Sequence, residues 1–118
     1  MRAPANSERL PVTGHVTWYA CQAAAYPWHT PDSINLGFHQ ATSPRLALRW
    51  IRDRAGHVVD QLDTAYAHPG RYWLTDEAEH ESALAYLTSG SAYQLTLYDE
   101  SVRYVLTASP TGATGVPS

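Results

Sequence analysis

The chain has 118 residues, 44 % of them hydrophobic, one cysteine and a formal net charge of −3. That size suits one domain with one real core, and that composition excludes whole-chain disorder. A single cysteine excludes an intrachain disulfide and a multi-cysteine zinc site, and the negative balance argues against a surface given over to nucleic acid. No run approaches the roughly 18 apolar residues of a membrane span. The polar start of the chain does not read as a secretory signal. The expectation is a soluble cytoplasmic domain with no membrane partner. All eight basic residues are arginine, and eight Tyr and four Trp stand against one Phe. Tyr and Trp carry polar tips, which suits half-exposed sites and interfaces as well as a thin core.

In chain order, residues 1–13 are polar and aperiodic and read as a flexible arm. Residues 14–108 read as one domain, and 109–118, rich in Ser, Pro, Thr and Gly, as a disordered tail. His15–Gln22 alternates and reads as a strand. Its predicted inner side carries Val16, Trp18 and Ala20, and its outer side Thr17, Tyr19 and Cys21. The two prolines in 26–33 mark a long turn. Ile34, Leu36 and Phe38 alternate again, so the two strands make a hairpin.

Ser43-Pro44 is a helix start: a capping hydroxyl, then proline where its missing N–H costs nothing. Leu48, Ile51, Ala55, Val58, Val59 and Leu62 follow as one stripe of an amphipathic helix. Asp53-Arg54-Ala55-Gly56 keeps a second reading open, a hairpin turn between strands 46–52 and 57–62. The cap and the stripe together favour the helix. His68-Pro69-Gly70 reads as a chain break. Thr75 or Asp76 caps a second helix, with Asp76, Glu77 and Glu79 crowding its positive end, Ala83, Leu84 and Leu87 facing inward, and Gly90 at the stop. Tyr93, Leu95, Leu97 and then Val102, Tyr104, Leu106 form a hairpin around 99–101. The fold expected is α+β, a two-layer sandwich in the order ββααββ. Its antiparallel four-stranded sheet is covered on one face by two helices.

Chemistry-bearing motifs are sparse. There is no Gly-x-Ser-x-Gly elbow and no phosphate-cradling glycine loop. Cys21 sits within a strand with nothing to activate a thiolate. Six histidines lack zinc-site spacing, although His15 and His39 could meet across the first hairpin. No metal and no cofactor are therefore expected. His29 and Asp32 share a loop and are the weak candidates for a small acid–base enzyme. Their alternative is a turn in which Asp32 bonds its own backbone.

The first helix carries Arg45, Arg49 and Arg52 opposite its stripe, with Arg54 nearby. The stretch 43–57 is thus basic, and the stretch 58–81 acidic. This admits an alternative function as a nucleic-acid-associated accessory protein. Leu46, Trp50 and His57 also point away from the stripe, and Trp is the residue most enriched in binding hot spots. The open sheet face is expected to carry Thr17, Tyr19, Gln94, Thr96, Tyr98, Arg103 and Val105, a mixed surface of the kind found in moderate interfaces. The leading expectation is a small non-catalytic interaction or regulatory module that binds a protein partner or itself, as a homodimer or small oligomer. Its binding residues are Trp50, Leu46, Arg45, Arg49, Arg52, Tyr19 and Tyr98.

Overall fold

The computed structural model describes residues 17–112. Four strands, β1 (Thr17–Pro27), β2 (Ile34–Ala41), β3 (Tyr93–Tyr98) and β4 (Val102–Gly112), form one antiparallel sheet in the order β2-β1-β4-β3. Three helices, α1 (Pro44–Val59), α2 (Thr64–Leu74) and α3 (Glu77–Thr88), lie between β2 and β3 in the chain. The class is α+β, as expected, with three helices rather than two.

Residues 46–59 are helical and 60–62 turn away from the helix end, so 46–62 is not a hairpin. The Ser43 hydroxyl accepts from the Leu46 N–H at 3.1 Å and Pro44 opens the first turn. Five residues of the expected stripe, Leu48, Ile51, Ala55, Val58 and Val59, are buried along with Ala47, whereas Leu62 lies beyond the helix and is only partly buried. Asp76 caps α3, its Oδ1 accepting from the Glu79 N–H at 3.2 Å. Gly90 ends the segment with φ +94°, where a side chain would be strained. In the last hairpin, Asp99 Oδ1 accepts from the backbone N–H groups of Ser101 and Val102, at 2.8 and 2.7 Å.

Three expectations need correction. The Pro69-Gly70 break is instead the middle of α2. Proline there forgoes one helical hydrogen bond and crowds the carbonyl of the preceding turn, while Gly70 brings α2 close to its neighbours. A Cβ there would sit 2.3 Å from Val59 Cγ1 and 3.2 Å from Leu97 Cδ2. The faces of β1 are also exchanged. Tyr19, Cys21, Ala23 and Ala25 face the helices and are buried, while Trp18 is exposed. Both sides of this strand are apolar, so alternation alone does not choose between them. The choice falls to the side whose small residues let helices approach, and where the Tyr19 hydroxyl donates to the Leu87 carbonyl at 3.3 Å. Lastly, β4 runs on through Ser109–Gly112, paired with Thr17–Ala20, into the stretch expected as tail. The 1–13 arm, His15 and residues 113–118 lie outside the described residues.

The core lies between the sheet and the helices. Ile51, Val59, Leu87, Leu106 and Cys21 are fully enclosed. A polar cluster crosses it between α2, α3 and β3. Trp73 Nε1–H donates to the Tyr93 hydroxyl at 2.8 Å, and that hydroxyl donates to Glu79 Oε2 at 2.7 Å. The buried His80 ring meets the Trp73 carbonyl at 2.8 Å and packs edge-on against the indole. Burial and the Glu79 carboxylate both push the Tyr93 phenol well above its ordinary value.

Candidate interaction surface and cavity

The β2 edge and the flank of α1 beside it make one continuous surface. β2 hydrogen-bonds only to β1, so its other side is open among the described residues. Its sequence, Ile-Asn-Leu-Gly-Phe-His-Gln-Ala, holds no charged residue and no proline. Ile34, Leu36 and Phe38 are 52, 38 and 59 % exposed. Natural sheets normally blunt such an edge with charge, proline or a covering element. The register shifts opposite Ala23 and Ala24, leaving Leu36 unpaired there, and the Asn35 side chain accepts from the Gly37 N–H at 3.0 Å.

α1 overhangs this edge. Trp50 is half-buried, stacked on His39 of β2 with centroids 6.1 Å apart, and the Arg54 guanidinium lies over the indole at 5.2 Å. Gly37 makes room for both. A Cβ on it would come within 3.3 Å of Trp50 Cζ2 and Arg54 Cζ. Exposed Leu46, with Arg49, Trp50 and Asp53, faces His39, Gln40, Ala41 and Thr42 across a shallow cleft of about 400 Å³. The structure thus brings Leu46, Arg49 and Trp50 together beside β2.

The remaining site residues are dispersed. Arg45, Arg49 and Arg52 line a small groove with Glu77 and Glu81 of α3, so the basic stripe lies beside the acidic stretch that follows it in sequence. Tyr19 is in the core rather than on a binding surface. Tyr98 is on the open sheet face, stacked with Trp28 at 6.3 Å. On that face Arg103 lies over the Tyr26 ring at 4.9 Å. His29 and Asp32 are exposed. The Asp32 N–H donates to the Thr30 hydroxyl at 3.1 Å, and no hydrogen bond joins Asp32 to His29 among the described residues. Cys21 is buried and unpaired by disulfide, and burial pushes its thiol up to about 11. No group of three metal-ligating side chains converges among the described residues.

One feature escaped sequence reasoning. A cavity of about 430 Å³ opens between the C-terminal half of α1 and the sheet. Its floor is Ala23 and Ala25, its sides are Ile34, Leu36, Val58, Val102 and Tyr104, and Arg54 and His57 of α1 stand beside it with Gln61 of the turn that follows. The signal for it is the Ala23-Ala24-Ala25 run. Alanine is a poor strand former, and small residues beneath a crossing helix leave space unfilled.

The fold and this surface define a three-helix, four-stranded antiparallel α+β domain with an unblunted edge strand. No described helix is long and apolar enough to cross a membrane. Compared with protein families, with curated proteins and with solved structures, the chain matches none.

Proposed function

We propose that this chain is a small non-catalytic interaction module that pairs with a second copy of itself through the β2 edge and the adjoining flank of α1. The observation that carries the reading is β2 itself, eight residues long, uncharged, proline-free and largely exposed. A second β2 docked antiparallel would supply partners for its outward backbone groups and continue the sheet, the mode known as strand addition. A two-fold pairing must be self-complementary. Arg49 and Asp53, one turn apart on α1 and both beside Trp50, meet that condition, because antiparallel α1 helices can set Arg49 of one copy against Asp53 of the other. Exposed Leu46 and the free edge of Trp50 supply apolar contact between them.

The test is sedimentation of the intact chain and of Phe38→Lys. Phe38 is exposed and paired with Gln22 away from the helices, so lysine there leaves the monomer folded while charging the edge. The wild-type chain is expected to sediment at twice 13.0 kDa at about 100 µM, a threshold equivalent to roughly 5.5 kcal/mol. Phe38→Lys is expected to weaken the pairing at least tenfold. A wild-type chain that stays at 13.0 kDa, or pairing unchanged by the lysine, overturns the proposal.

A further inference from the structure

We infer that the cavity beneath α1 is a binding site for a small monocarboxylate with an apolar body. Its volume of about 430 Å³ falls within the roughly 300–1,000 Å³ of small-molecule sites, which are mostly apolar with a few convergent polar groups. The side chains of Ala23, Ala25, Ile34 and Leu36 offer no hydrogen bond. An occupant must therefore present hydrocarbon to them.

The polar side chains lining the cavity are Tyr104, which donates to Asp99 Oδ2 at 3.4 Å, and three groups at the C-terminal end of α1. Arg54 and His57 fall at i and i+3 on α1, one face of the helix, and Gln61 stands in the turn just after it. All three can donate hydrogen bonds, and no acidic residue lines the cavity. Asp60, the C-cap of α1, has Arg71 at 3.5 Å. Arg54 is also held in place. It lies across Trp50 at 5.2 Å and against the backbone at Gly37, where any Cβ would crowd its guanidinium at 3.3 Å. It forms no ion pair among the described residues. A planar cation fixed at the edge of an apolar cavity matches a carboxylate in charge and geometry. The site is lined by one chain but shares Ile34 and Leu36 with the β2 edge; it is tested by ligand binding and self-association by sedimentation, so the two can fail separately.

Decanoate and decan-1-ol, which differ only in the charged head, serve as probes, with binding read by amide chemical shifts of the isotopically labelled full chain. Decanoate is expected to move resonances lining the cavity saturably and to bind at least fivefold tighter than decan-1-ol. Arg54→Gln is expected to erase that preference while leaving decan-1-ol binding unchanged. Ala25→Leu, which fills the floor, is expected to abolish binding of both. Arg54→Gln changes a half-exposed side chain and gives a reading even if the leucine variant fails to fold. Absence of saturable shifts with decanoate, equal affinity for the two probes, or an acid preference that survives Arg54→Gln overturns the assignment.

Discussion

Two glycines lie inside helices, and the structure assigns them opposite roles. Gly56 in α1 has open space where a Cβ would go. Alanine there gains the helix propensity that glycine lacks, about 1 kcal/mol. Gly70 in α2 is buried, and its added Cβ would lie 2.3 Å from Val59 Cγ1. That is short of ordinary carbon–carbon contact by more than about 1 Å. Val59 is fully buried, and a β-branched side chain in a helix has essentially one rotamer, so it cannot swing aside. α2 must therefore move off α1 and β3. Overpacking of this kind costs about 1–3 kcal/mol or more, and the severity of this overlap places it at the upper end. Setting the propensity gain against it leaves a net loss of about 2 kcal/mol. For a domain near this size that lowers Tm by roughly 8 °C, while Gly56→Ala raises it by roughly 4 °C. Urea melts of both variants measure the pair. Val59→Ala removes the clashing methyl, so Gly70→Ala in that background should cost markedly less, a coupling that a double-mutant cycle reads directly. If Gly70→Ala is neutral or stabilising, or if its cost is the same with Val59 shortened, the close approach of α1 and α2 is not what glycine serves there.

Tyr93→Phe leaves the buried Trp73 indole N–H without its acceptor and should cost about 1–3 kcal/mol in chemical denaturation. Cys21, with a folded pKa of about 11 against an ordinary 9.0, keeps its proton more firmly when folded. Its contribution to stability is intact below pH 9.0 and is lost as pH rises through about 11, because the unfolded chain releases the proton first. Cys21→Ala should therefore flatten the first part of the alkaline limb of a stability–pH curve. The raised phenols of Tyr93 and Tyr104 add a further decline in the same direction at higher pH. Trp50→Ala should weaken self-association by about 2 kcal/mol or more, read by sedimentation. Duplex DNA should show no binding at about 0.15 M salt, since Arg45, Arg49 and Arg52 sit beside Glu77 and Glu81. Anisotropy titration measures it, and a Kd below about 1 µM would contradict the proposed assignment of α1.

What was legible in the sequence followed from strong local signals. The Ser43-Pro44 cap and the stripe from Leu48 to Val59 outweighed the hairpin alternative for 46–62, Asp76 rather than Thr75 is the cap of α3, and the β3–β4 alternation is realised as read. The failures lie where tertiary contact outweighs local preference. Pro69-Gly70 breaks an isolated helix, yet in α2 the glycine is what allows the close approach to Val59. In β1 both sides are apolar, so only the helices above it decide that Tyr19 turns inward. The candidate surface was half visible: Trp50 and Leu46 were singled out on α1, but their neighbour across the cleft, the uncharged edge of β2, becomes meaningful only once strand order is known. The cavity was not visible, because an unfilled volume depends on what three separate strands fail to supply.

The pairing of β1 with β4 has a kinetic consequence. These two strands are the centre of the sheet, and they join the opposite ends of the described chain, from Thr17 against Gly112 to Pro27 against Val102. Every other element is strung between them. Closing such a long loop must precede the contacts that reward it. On a ribosome, β1 and β2 would wait as a two-stranded hairpin, which is marginal alone, until the last strand emerges. Folding of this domain thus waits for β4, and the interval before β4 arrives is when the uncharged β2 edge is most open to capture by a neighbouring nascent chain.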